Sequence, residues 1–392
     1  MKRITDILGL LLVALLMVAC SDDGDDWKDK PVTPDQKLVL TFYVYAPEHP
    51  VMTRGNEVHA TDEENAIHSL QIWVFETGTD TRVGYLAPSS FPTSAEGKVY
   101  QMNVAKAFAN KTVKPNVDVY VVANASSTTT LNINTTRTQL EAAVMGETDF
   151  GTTSPQRGVP EGGLPMTGVL RDQQIGGEEP VLHVKDGGDP TKVAKVRLLR
   201  MVSKVRYVFC KGIGNDDLAI NGITIGSGLI PTTEYLFLTD QNYRIGSDYN
   251  SSSFALIQPT EITDVQVCSY PLKYDIGSIS PSPTAQEYED LISLGVNGDT
   301  ENNIAADLTM AGPFYFKESD RKLSGKITYT PPTDSQSKEI AYSMGSDANS
   351  TFTRNHSWIV YAYYEGLSGM QVIVVDVTPW EETETDHSVY NW

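Results

Sequence analysis

Residues that carry metal and redox chemistry are scarce in this chain. Three cysteines and six histidines are spread over 392 residues. No CxxC pair and no mixed Cys/His cluster occurs, so a zinc site has no support. His49, His59 and His68 lie near the N-terminus, and His183, His356 and His387 are scattered. Neither HExxH nor GxSxG is present, so the zinc-protease and serine-hydrolase signatures are missing. Glycine-rich stretches such as "GIGNDD" (212–217) do not combine strand, phosphate loop and lysine, and no nucleotide site is expected. Acidic turns such as "GDTEN" lack the ligand ladder of a calcium loop and read as solvated. Adjacent acids such as Glu381 and Glu382 point opposite ways on an extended chain, which does not suit a glycosidase pair. No catalytic set, cofactor or metal site emerges, and an enzyme is not expected. Positive charge is short as well. Against 50 acidic residues stand 30 basic ones, a net charge of −20. Bulk attraction to nucleic acid or to an anionic membrane is thereby disfavoured.

What the chain has is a leader. Met1-Lys2-Arg3 is a basic start, and "ILGLLLVALLMVA" (7–19) is an almost unbroken apolar run of 13 residues that ends at Cys20. That is signal-peptide length, too short for a hydrocarbon core of about 30 Å. Met17-Val18-Ala19-Cys20 is similar to a bacterial lipobox, with a small residue before the cysteine and Met17 where leucine is usual. Residues 1–20 are therefore expected to be a lipoprotein signal peptide, with Cys20 the lipid-bearing first residue and the outer membrane its partner. Residues 21–36 follow, with four aspartates between Asp22 and Asp26, then prolines and polar residues. This composition makes an acidic, flexible tether. Cys210 and Cys268 remain; each sits in an apolar, strand-like context, which leaves both a disulfide and two buried thiols open.

Strand signals dominate the rest. They include "SLQIWVFE" (69–76), "VYQMNV" (99–104), "VDVYVVANA" (117–125), "VLHVK" (181–185) and "VAKVRLLRMVSKVRYVFC" (193–210). Later come "INGITIGSG" (220–228), "FYFKE" (314–318), "GKITYTPP" (325–332), "HSWIVYAYYEG" (356–366) and "GMQVIVVDVTPW" (369–380). Only "TRTQLEAAVMG" (136–146) and "TAQEYEDLISLG" (284–295) read as helices. The fold class is mainly β: two tandem sandwich domains, transthyretin-like or Greek-key, with a few short helices. "DGGDPTK" (186–192) interrupts the strands and sets the expected domains at 37–190 and 191–392. Trp73, Trp358 and Trp380 fall within or at the end of apolar strands, where core packing is favoured over a glycan-stacking role.

The stretch "KLVLTFYVYAPEHPVMTRG" (37–55) stands apart. Leu38, Leu40, Phe42 and Val44 alternate on one face of a strand, and a loop opened by Pro47 and Pro50 leads to Arg54 and Gly55. If buried, those four side chains contribute roughly 6–12 kcal/mol gross, against a typical domain stability of about 5–15 kcal/mol. A subunit stripped of residues 37–54 would expose an apolar slot and free sheet edges.

In its order of segments the chain resembles the fimbrillins, the pilin subunits of type V pili of Bacteroidetes-type bacteria. The likeness runs through the lipobox at Cys20, the strand ending in "VMTRGNE", and "DEENAIHSLQIWVFE" (62–76). It continues through "LPMTG" (164–168), "VRLLRMVSKVRYVF" (196–209, with Ser203 where alanine is commoner), "RNHSWIVYAYYEG" (354–366) and "VDVTPWEE" (375–382). The resemblance implies a surface lipoprotein with no reaction of its own. It further implies that an arginine-specific protease cuts after the first strand, here between Arg54 and Gly55, and that a neighbouring pilin subunit's strand fills the vacated groove. Cuts at Arg82 or Arg157 would remove more of the fold. Gln371–Thr378 and the tail 381–392 are the segments considered as donors. An accessory anchor or tip subunit of the same pilus, or a glycan-binding surface lipoprotein, is the alternative expectation.

Overall fold

The structure, a computed structural model, describes residues 38–46, 61–93, 96–125, 131–145, 155–186, 189–238 apart from 213 and 216, 248–267 apart from 260, 309–345, 351–366 apart from 365, and 369–377. The leader, Cys20, the tether, the Arg54–Gly55 bond, the 284–295 segment, Cys268, Trp380 and Trp392 lie outside these residues.

The described chain is mainly β, as the sequence implies, and forms two sandwiches. In the N-terminal part the strands are β1 (Val39–Tyr45), β2 (Leu70–Glu76), β3 (Arg82–Leu86), β4 (Lys98–Asn103) and β5 (Val117–Ala123). They are followed by β6 (Val144–Met145), β7 (Gln156–Arg157), β8 (Met166–Gln173) and β9 (Ile175–Gly176). Then come β10 (Val181–Asp186), β11 (Asp189–Val193), β12 (Lys195–Arg197) and β13 (Leu199–Arg200). One sheet runs β11-β10-β1-β12, with β4 on the other side of β1 and β9 beside β10; the facing sheet runs β13-β8-β5-β2-β3. Their inner faces share one core that includes Phe42, Trp73, Phe75, Tyr120 and Val196. β5 is buried along its whole length, which is why, apart from Asp118, it reads as an apolar run rather than as an alternation.

The C-terminal part adds β14 (Val202–Lys211), β15 (Ala219–Ile225), β16 (Glu234–Tyr235), β17 (Phe254–Ile257) and β18 (Thr309–Lys317). It closes with β19 (Leu323–Thr330), β20 (Lys338–Met344), β21 (Ser357–Tyr364) and β22 (Met370–Val377). Here the sheets are β22-β21-β14-β18-β7 and β17-β15-β19-β20. A second core, with Phe209, Phe314, Phe316 and Trp358, lies between them. β19 shows the expected two-residue alternation of buried and exposed side chains, and its edge partner β20 is mostly exposed.

The long run 193–210, read as one strand, is broken into β12, β13 and β14. β12 pairs with β1, and β13 with β8. Both lie beyond the expected division at 190, yet they complete the N-terminal sheets, so the sheets divide near Met201 and Val202. The halves are also stitched crosswise. β6 pairs with β16, and β7 with Phe314 and Tyr315 of β18.

The helices are short: α1 (Asp62–Asn65), α2 (Lys106–Ala109) and α3 (Arg137–Ala142). α3 lies within the expected 136–146 helix but stops early, because Val144 and Met145 are committed to β6. Its start is a capping box in which Thr136 and Gln139 satisfy each other's backbone N–H.

Candidate functional site

The first strand is not a loosely added edge. β1 is hydrogen-bonded on both sides in the middle of its sheet. On one side β4 runs antiparallel to it, with register from Val39 opposite Asn103 to Val44 opposite Lys98. On the other side two strands share its length, both parallel: β10 beside Val39–Thr41 and β12 beside Tyr43–Tyr45. Further bonds bind its ends. Val39 N donates to the Pro180 carbonyl at 3.0 Å, Val104 N to that of Leu38 at 2.9 Å and Leu198 N to that of Tyr45 at 3.1 Å.

Leu40, Phe42 and Val44 are fully buried, and Leu38 is 7% exposed. The inner face read from the alternation is thus the face that packs. The outer face is built too. The Tyr43 ring lies across Gly97, where a Cβ atom would sit 2.2 Å from Tyr43 Cζ. The Lys195 ammonium stands 6.0 Å from the same ring's centre, at the limit for a cation–π contact. Thr41 is 5% exposed, and its Oγ1 has no hydrogen-bond partner. Removing β1 would part β4 from β10 and β12 and bare both a core face and two rows of backbone groups.

From Thr61 onward the chain is pinned at once. Thr61 caps α1 in a capping box with Glu64. Glu64 is buried and crosses to the C-terminal sandwich. Lys204 Nζ donates to its two carboxylate oxygens at 2.8 and 2.9 Å, Tyr315 OH to one of them at 2.6 Å and Thr61 N to the other at 2.8 Å. Arg200, fully buried, donates to the Glu64 carbonyl and to Asn65 Oδ1. Burial alone raises the Glu64 carboxyl, but the Lys204 ammonium and these hydrogen bonds outweigh it and hold the group below its ordinary value. Sequence reading missed this joint. Its local signal is the Thr-x-x-Glu spacing at 61–64 together with a lone lysine inside the apolar run around 204.

Trp73 and Trp358 are core residues, and Trp73 Nε1 donates to the Asn132 carbonyl at 3.0 Å. Cys210 is disulfide-bonded, which favours the first of the two states left open for it. Gln371–Val377 lies in β22, paired with β21 from Ser357 to Tyr364. That stretch is therefore engaged within its own chain. Among the described residues no group of His, Cys, Asp and Glu could hold a metal ion, and no helix is long and apolar enough to cross a membrane.

Residues 40–198 match the family of the major fimbrial subunit protein (FimA), so the fimbrillin resemblance is borne out over the N-terminal sandwich. No curated protein matches the chain. Among solved structures, a fimbrial assembly protein from Parabacteroides distasonis is similar at 13% identity, covering 89% of this chain and 99% of its own, with a TM-score of 0.48. The tip fimbrial protein Mfa3 from Porphyromonas gingivalis is similar at 13% identity, covering 87% of this chain and 99% of its own, with a TM-score of 0.46.

Proposed function

We propose that this protein is a structural pilin of a surface fimbria serving adhesion. It is exported as a lipoprotein acylated at Cys20, cut between Arg54 and Gly55 by an arginine-specific protease, and polymerised by donor-strand exchange. One observation carries the reading. β1 is a central strand with neighbours on both sides, and it is the described strand just ahead of Arg54 in the sequence. A strand so placed is at once indispensable to the fold and removable by a single cut. The family match over residues 40–198 supports the fimbrial setting. Digestion of the purified precursor with an arginine-specific protease should release a fragment ending at Arg54 and yield polymers that survive SDS until heated. An intact, monomeric product would overturn this reading.

A second reading is an accessory anchor that retains its lipid and β1. The pairing of Gln371–Val377 with β21 favours it, because a subunit whose C-terminal strand is engaged at home has less to offer a neighbour. The N-terminal residue of the protein recovered from cells, Cys20 or Gly55, separates the two.

A further inference from the structure

The outer face of β1 fits its slot unevenly. At one position the fit is close. The Tyr43 ring occupies the space that a side chain at residue 97 would take, and Lys195 lies beside it. Two residues earlier the fit is poor. Thr41 is paired in register with His183 on the parallel neighbour β10. Both are on the outer face, since Leu40, Phe42, Leu182 and Val184 point to the core. Thr41 Oγ1 and His183 Nδ1 are both buried atoms without a hydrogen-bond partner. Such atoms cost stability, and native structures rarely leave two side by side.

We propose that the outer face of this slot is a reading surface that selects the incoming strand. The partner it fits is an extended segment of another subunit, with an aromatic residue at the Tyr43 position over Gly97. At the Thr41 position it carries an amide side chain that hydrogen-bonds His183. An amide offers both donor and acceptor, so it serves either imidazole tautomer. The apolar inner face admits many alternating strands; the outer face distinguishes among them. β1 itself meets the first requirement and fails the second, which makes it a resident that a better-matched strand displaces. This inference rests on the proposed strand exchange and names the partner for that same site.

The test uses the full-length chain, digested with arginine-specific protease in the presence of a labelled peptide of residues 37–46 or its variants. Capture of the Tyr43→Ala peptide should fall about tenfold or more relative to wild type. Capture of the Thr41→Asn peptide should rise roughly threefold to tenfold. In a Gly97→Ala subunit the preference for tyrosine should vanish. A thermal-stability cycle on undigested chain gives a second readout: Gly97→Ala and Tyr43→Ala should each destabilise, and the double variant should lose less than their sum. Equal capture of the three peptides overturns the proposal, as does additivity in the cycle. Capture of none also overturns it. The mass of the digest then decides the wider reading, which survives if the fragment ending at Arg54 is present and falls with the proposal if it is absent.

Discussion

β1 and β14 occupy equivalent places in their sandwiches. Each lies inside a sheet with an antiparallel neighbour on one side, β4 or β18, and parallel neighbours on the other, β10 and β12 or β21. Each buries aromatic residues in its core, Phe42 in one and Phe209 in the other. The difference is connectivity. β14 sits mid-chain between described strands, so a cut on either side leaves it attached. β1 is tied to the other described elements through the 46–60 stretch alone. A central strand is thermodynamically essential in both places, but only β1 would be separated from the other described strands by the single hydrolysis proposed above. Under that proposal exchangeability comes from chain order and not from weak packing.

The comparison is broken most severely at Arg54. Arg54→Ala should abolish release of the first strand and with it polymer formation, read as loss of the SDS-resistant ladder; persistence of the ladder would place the cut elsewhere. Next come the two phenylalanines. Phe42→Ala and Phe209→Ala should each destabilise the uncut subunit by about 3–5 kcal/mol in urea unfolding. After assembly the Phe42→Ala penalty should disappear, because another strand fills the slot, while the Phe209→Ala penalty stays. Equal penalties in the polymer would remove the distinction between the strands.

The joint at Glu64 comes third. Glu64→Gln leaves the Lys204 ammonium buried without its carboxylate and should cost about 3 kcal/mol, since breaking a buried pair is more damaging than replacing both partners. The acid dependence has a definite sign. Because the folded carboxyl titrates below its ordinary value of 4.5, its contribution is fully present above pH 4.5 and is lost as the pH falls through the lower folded value. The gap between wild type and Glu64→Gln in unfolding free energy should therefore narrow on acidification from pH 5 downward, and a gap that widens would contradict the assignment. The smallest effect is expected at Lys326, whose ion pair with Glu339 at 2.6 Å is half-exposed. Lys326→Ala should change stability by less than about 1 kcal/mol.

Much of this was legible in the sequence, for definite reasons. The inner face of β1 shows as a two-residue alternation, since one side of that strand meets the core and the other does not. β5 and β21 show as apolar runs because both of their faces are covered. Pairing is another matter. Nothing in Leu38–Tyr45 says that its neighbours are 181–186 and 195–197, because parallel partners are chosen by tertiary packing and not by local spacing. The break of 193–210 into three strands is hidden for the same reason: every piece is apolar, but each serves a different sheet. Gly97 reads as an ordinary turn residue until Tyr43 is seen lying across it. Glu64 reads as one acid among three in "DEEN", and its burial depends on Lys204 and Tyr315, far along the chain.

One consequence follows from the mixed pairing of β1. A slot with a parallel wall on one side and an antiparallel wall on the other accepts a strand in a single direction. Under the proposed strand exchange, every subunit joined head to tail through such a slot faces the same way. A filament built so would have two unlike ends, one with a slot to fill and one with a strand to give, because the joining patches are heterologous.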